Sequence, residues 1–142
     1  MIMNSRDAIS LISKIRQKAN GLIISEMSKH GIDGIVTSHG DIIYALFKNQ
    51  RLTMAEITGK IGRDKSTVTA LVDKLVRLGY VTKERDKEDS RIVFVTLTQR
   101  GNELEPIFEA ISQEMLKVFY LNISEEEKEE LIGILNKIYS NF

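Results

Sequence analysis

The hydrophobic period of this chain changes after Gly79, and that change restricts the folds open to it. From Arg63 to Gly79, RDKSTVTALVDKLVRLG, the apolar residues Val68, Leu71, Val72, Leu75 and Leu78 recur at i, i+3, i+4 and i+7, the stripe of a helix that buries one side. After Gly79 the period becomes 2. Tyr80 to Arg85 and Ile92 to Leu97 read as strands, the second with Val93, Val95 and Leu97 on one face. The charged segment DKEDS between them makes the pair a hairpin with a polar tip.

The segments before the helix supply its partner. Thr53 and Glu56 form a T-x-x-E capping box opening a short helix from Met54 to Ile61, which Gly62 ends; Asp64 or Gly62 can cap the helix that follows. An earlier helix carries Ile42, Ile43, Ala45, Leu46 and Phe47 on its core side, with Thr37 or Ser38 as its cap and Ser38 with Asp41 as its capping box. Two short helices around a glycine turn, then a hairpin, make a winged helix-turn-helix. The predicted fold is mainly α with a small β-hairpin wing.

Helices flank this unit. From Asn4 to Lys29, Ile9, Ile12, Ile15, Leu22, Ile23 and Met27 mark a long helix containing Gly21, too long to bury its face on a small domain alone. It therefore packs on a distant segment or a second subunit, and Gly31, Asp33 and Gly34 end it. Thr98 restarts helix, Ile107 to Phe119 continue it, and Pro106 should bend it or delay its regular part. Ser124 and Glu127 box a last helix carrying Leu131, Ile134, Leu135 and Ile138, with Glu125, Glu126 and Glu127 favoured by the dipole of its first turn.

The exposed face of the 63–79 helix carries Ser66, Thr67, Thr69, Ala70, Asp73, Lys74 and Arg77: short hydroxyls first, cations later. Small polar residues followed by cations suit a helix entering a DNA major groove by its N-terminus; alone, the run fits an ordinary core helix equally well. Net charge is zero, yet it is segregated, with nine Lys/Arg against six Asp/Glu over residues 60–91 and three Lys against nine Glu over residues 101–142. Any DNA contact must come from the middle. The start, MIMNSRDAIS, is unlike a secretory signal, no apolar run approaches a membrane span, and there is no cysteine. A bacterial-type cytoplasmic protein is expected.

The ordered set from Lys65 to Gly101, KSTVTALVDKLVRLGYVTKERDKEDSRIVFVTLTQRG, resembles the MarR family of bacterial transcription regulators. Its specific parts are the helix, Gly-Tyr-Val, the Asp-x-x-Asp-x-Arg wing, the second strand and LTxxG, and the likeness extends over nearly the whole chain. The resemblance implies a homodimer gripping a pseudo-palindromic double-stranded DNA operator, with residues 1–34 and 102–142 for dimerisation and 35–101 for DNA binding. It places Lys65, Ser66, Thr67 and Thr69 near bases and phosphates and Lys74 and Arg77 on the DNA backbone. Asp89 and Arg91 become the wing pair whose arginine enters the minor groove while the aspartate orients it. Lys83, Arg85 and Lys87 add phosphate attraction. A repressor released by a small-molecule effector is the expected function.

Other chemistries fit poorly. GKIGRDKS lacks the spacing of a phosphate-binding loop, since Arg63 and Asp64 follow Gly62. Ser38, His39 and Asp41 are crowded at a helix start, where neighbours diverge and cannot form a hydrolase relay. His30 and His39 belong to no spaced ligand set, and where some relatives place metal-binding histidines this chain has Phe108, Ile111 and Ser112. Neither an enzyme, a metal nor a cofactor is expected. Met27, Tyr44, Phe47, Phe108, Met115 and Phe119 are core or pocket lining. The alternative from another class is a winged-helix protein-interaction module without DNA binding, which the zero net charge favours.

Overall fold

The computed structural model describes residues 3–142. A 3-10 turn at Ser5–Asp7, in which Asn4 accepts from Arg6 N–H and donates its own N–H to Asp7, leads into α1 (Ala8–Lys29). α2 (Thr37–Asn49) follows, and its start corrects the expected cap. Thr37 is already helical, Val36 takes the cap position in extended conformation, and Val36 N–H donates to His39 Nδ1 at 2.9 Å. Neither Ser38 nor Asp41 closes the turn; an imidazole lone pair at the third helical position does what Glu does in the usual box.

Next come β1 (Arg51–Thr53), α3 (Met54–Ile61) and α4 (Lys65–Arg77). The Thr53–Glu56 box forms reciprocally, at 3.0 and 3.1 Å, and Gly62 ends α3 at φ +71°, where a side chain would strain the backbone. Asp64 caps α4. β2 (Val81–Arg85) and β3 (Val93–Leu97) form the expected hairpin, each one residue shorter at its start. β1 was not expected: it pairs antiparallel on the other edge of β3, giving the order β1-β3-β2 with Leu52 opposite Val95. Three residues between two helices carry no readable alternation, and the Arg51 guanidinium stacks 3.5 Å from the Phe94 ring centre across that pairing.

α5 (Gln99–Asn102) is a single turn, and α6 (Glu105–Phe119) starts afresh with Pro106 second in the helix. The proline therefore delays the helix and does not bend it, because its missing donor falls where no intrahelical partner exists. α7 (Glu125–Tyr139) has the expected Ser124–Glu127 box.

The LTxxG signature has a mechanical basis. Thr98 N–H donates to Tyr80 O at 3.0 Å, its hydroxyl donates to Gly79 O at 2.6 Å, and the same oxygen accepts from Gly101 N–H at 3.1 Å. The turn is thereby latched onto the exit of α4. A Cβ on Gly101 would overlap the Tyr80 carbonyl oxygen and meet Leu97 Cδ2 at 2.9 Å, so the latch closes only on glycine.

Burial is unequal along the chain. Ile42, Ile43, Leu46, Ile57, Val68, Val72, Leu75 and Val95 are fully inaccessible, each contributing roughly 1.5–3 kcal/mol of transfer free energy. They are the centre of one core that also takes in Met27 of α1 and Phe108 and Ile111 of α6. By contrast α7 has no buried residue, and α1 only Met27. α1, α6 and α7 border an apolar groove of about 830 Å³ lined by Ile15, Leu22, Met115, Phe119, Leu131 and Ile134. No helix among the described residues is long and apolar enough to cross a membrane.

Candidate nucleic-acid interface

The surface begins at the cap of α4. Asp64 Oδ1 accepts from Thr67 N–H at 2.8 Å and from the Ser66 hydroxyl at 2.7 Å, while Oδ2 accepts from the Thr67 hydroxyl at 2.9 Å. These bonds, the Thr67 amide first, lower the carboxyl pKa to about 2, so the cap is ionised at any ordinary pH. The Thr69 hydroxyl donates back to Lys65 O at 2.8 Å. All three hydroxyl protons are engaged within the helix. Outward, Ser66, Thr67 and Thr69 present oxygen lone pairs and threonine methyl groups, which suit the amino groups of adenine or cytosine and the thymine methyl in a major groove.

The cations differ in freedom. Neither Lys65 nor Arg77 enters an ion pair among the described residues, and both are exposed. Lys74 is half-buried and near the start of α2: burial chiefly, and the Lys74 charge next, hold the His39 pKa below its ordinary value. Lys83 is paired with Asp73 at 2.9 Å, a bond from the wing to α4 worth at most about 1 kcal/mol at this exposure. Arg63 reaches the Ser38 hydroxyl at 3.5 Å, drawing the α3–α4 turn toward the start of α2.

At the wing tip one carboxylate orders the next residue. Asp86 accepts from Asp89 N–H at 2.9 Å, and Asp89 receives Arg91 through Nε–Oδ1 at 3.0 Å and Nη2–Oδ2 at 3.1 Å. The Arg91 side chain bond, then the Arg91 amide, hold the Asp89 pKa below the usual carboxylate value, and the same pairing raises that of Arg91. Arg91 is nevertheless 88% exposed and Asp89 35%. The fork is held in shape while its outer face stays in water, which reduces the entropy lost when it binds a partner.

Helix and wing enclose a groove of about 730 Å³ into which Lys65, Thr69, Lys83, Arg85 and Arg91 project, with Thr53 and Thr58 opposite. The structure thus joins Lys65, Thr69 and Arg91 in one concavity; Lys74 and Arg77 lie outside its lining. Arg85, held by the Ser90 carbonyl, and Lys83 complete it. Their i, i+2 spacing on β2, which puts them on one face, was the sequence signal for that pairing. Arg63 and the Thr53 and Thr58 side chains were missed as groove or flanking residues, since only the folded turn brings them near.

Comparison with known proteins agrees with the winged-helix fold. A sequence model described as MarR family matches residues 30–92. The HTH-type transcriptional regulator SarZ of Staphylococcus haemolyticus is 33% identical over 100 residues, spanning 70% of this chain and 67% of its own length. The uncharacterized HTH-type transcriptional regulator YdgJ of Bacillus subtilis is 28% identical over 108 residues, 76% of this chain and 66% of that one. In fold, the chain is similar to a MarR protein from Peptoclostridium difficile, with TM-score 0.87 and 20% identity over 99% of this chain and 92% of that one. It is also similar to a mutant MarR from E. coli complexed with operator DNA, with TM-score 0.82 and 22% identity over 96% and 99% of the two chains. Together with the winged helix described above, these matches establish that the chain belongs to the MarR family of transcriptional regulators.

Proposed function

We propose that two copies of this chain form a cytoplasmic homodimer that represses transcription by occupying a pseudo-palindromic DNA operator and leaves it when a small-molecule effector binds. The observation that carries the reading is the cationic groove between α4 and the wing, where Lys65, Lys83, Arg85 and Arg91 converge in a chain of zero net charge. A groove of that charge fits one phosphate strand, with α4 in the major groove on one side and Arg91 in the minor groove on the other. Ser66, Thr67 and Thr69 read base edges, Lys65, Lys74 and Arg77 hold phosphates, and Asp89 orients Arg91. The E. coli protein of like fold was determined with operator DNA, which supports the same use here.

Residues 35–101 form the DNA-binding unit in this reading, and 1–34 with 102–142 the dimerisation unit. The apolar groove bordered by α1, α6 and α7, and the lack of any buried residue in α7, are the support: a helix that buries nothing alone needs a second copy. The dimer sets the two α4 helices about one DNA turn apart. Selecting bound sequences from a random duplex pool tests the reading. Enrichment of an inverted repeat, with binding abolished by Lys65→Glu and Arg91→Glu in an intact dimer, is expected. Failure to enrich any sequence, or unchanged binding by both variants, would refute it.

A further inference from the structure

The outer stripe of α4, formed by Ser66, Thr69, Ala70 and Asp73 with Thr67 beside it, has its hydrogen-bond polarity fixed from within the chain. The ionised Asp64 carboxylate has acceptors only, so the Ser66 hydroxyl at 2.7 Å and the Thr67 hydroxyl at 2.9 Å can meet it only as donors. The Lys65 carbonyl is likewise an acceptor, and the Thr69 hydroxyl donates to it at 2.8 Å. Each hydroxyl commits its single proton in this way and keeps lone pairs for the outside. The stripe continues with the same sign. Ala70, exposed one turn after Ser66, adds a methyl group, and near the next turn Asp73 adds a carboxylate whose Oδ1 accepts from Lys83 at 2.9 Å. From Ser66 to Asp73 the stripe thus presents acceptors and methyl groups over two turns of helix.

We infer that α4 reads A·T pairs at the centre of each half-site, and that Asp64 is the positioning residue that sets this preference by holding the hydroxyl protons inward. In the major groove adenine donates through its exocyclic amino group, which meets a hydroxyl oxygen, and its thymine partner shows a methyl group, which lies against Thr69 or Ala70. A C·G pair also has an amino group, but it brings the guanine O6 and N7 acceptors against the same lone pairs and the Asp73 carboxylate, and it has no methyl. Lys65, the nearest cation, lines the groove between helix and wing and supplies its charge to phosphates there. The inference rests on the DNA-binding reading given above and deepens it by naming the base pairs that are read.

Asp64→Asn separates this role from capping. Asparagine caps a helix about as well as aspartate, and its Oδ1 still accepts from the Thr67 amide. An amide NH2 replaces Oδ2, however, so the Thr67 hydroxyl must accept and its proton turns outward. Both full-length proteins are carried through selection from a random duplex pool, with thermal midpoints measured alongside. The parent should enrich half-sites with A·T pairs at their centre. The variant, folded as before, should admit G·C at one of these pairs, the affinity ratio of A·T to G·C there falling about five-fold. Loss of a negative charge strengthens binding to all sequences alike and leaves that ratio unmoved. With the parent protein, replacing a central adenine by purine deoxyriboside, which lacks the amino group, should weaken binding about five-fold at one or more pairs, whereas 7-deazaadenine, which lacks the N7 acceptor, should leave it within about two-fold. Enrichment of G·C at the half-site centre, sensitivity to 7-deazaadenine in place of purine, or an unchanged ratio in the folded variant would overturn the inference and leave the operator reading standing. Enrichment of no sequence would refute both.

Discussion

Replacing Gly101 with alanine tests the latch between the wing and α4, and its cost follows from the structure. The new Cβ would overlap the Tyr80 carbonyl oxygen and press on Leu97 Cδ2 at 2.9 Å. Neither neighbour is free to withdraw: the Tyr80 oxygen accepts from Thr98 N–H, and Leu97 packs on the core. Relief requires moving the α5 turn off the α4 exit, which lengthens the Thr98 bonds to Gly79 and Tyr80. Overpacking of this kind costs about 1–3 kcal/mol, and weakening two hydrogen bonds adds about 1 kcal/mol each, so about 3 kcal/mol is expected. For a chain of this size that lowers the melting temperature by about 10 °C, measured by circular dichroism at fixed protein concentration because dimerisation contributes. Gly59→Ala is the control: it lies within α3 with nothing within 4 Å of the added Cβ, and should be neutral or stabilising by up to about 1 kcal/mol. If Gly101→Ala lost under about 1 kcal/mol, the latch as described would be wrong.

Three further outcomes follow. His39 must be neutral to accept the Val36 N–H, and its folded pKa lies below the ordinary 6.5; its contribution is therefore present above that value and lost as pH falls through the folded pKa. Urea midpoints should drop from pH 7.5 to 5 in the parent and less in His39→Gln, which keeps an acceptor; an identical drop in both would refute the role. Arg91→Ala should reduce the slope of log affinity against log salt by about one unit on every DNA sequence, whereas Ser66→Ala should change which sequence is preferred; identical effects of both would refute this division. Ile134→Glu places a charge in the apolar groove bordered by α1, α6 and α7 and should yield monomers in sedimentation; an unchanged dimer would place the interface elsewhere.

What the sequence disclosed depended on how far apart the interacting groups lie along the chain. The Thr53–Glu56 and Ser124–Glu127 boxes are i, i+3 devices, legible wherever the letters occur, and both formed. Asp64 was legible as a cap for the same reason. The α2 start failed because His39 substituted for a carboxylate, and side-chain identity alone does not reveal which imidazole nitrogen has a free lone pair. β1 was invisible since its only signal is pairing with β3, more than forty residues away. The Gly101 requirement was visible as a pattern without its cause, which lies in the Tyr80 backbone. Likewise, Lys83 and Arg85 were noted as charges, but their convergence with Lys65 and Arg91 needed the hairpin folded against α4.

On the proposed reading, the part of the chain that links recognition to an effector is α2. Ile43 and Leu46 on one side of it are fully buried in the core they share with Val68 and Val72 of α4; Asp41 and Tyr44 on another line a cavity of about 200 Å³ against α6. A close-packed interface resists graded deformation, so displacement of α2 carries α4 with it while leaving the face of α4 intact. On the proposed reading, an effector that displaces α2 therefore does not damage the Ser66, Thr67 and Thr69 surface. It tilts each winged unit on the dimer body, and the two half-sites lose register together. Affinity for an isolated half-site should consequently survive effector binding while affinity for the full inverted repeat falls, a difference measurable by anisotropy on the two duplexes. Equal loss on both would mean that the recognition surface itself is altered, and the rigid coupling of α2 to α4 would have to be abandoned.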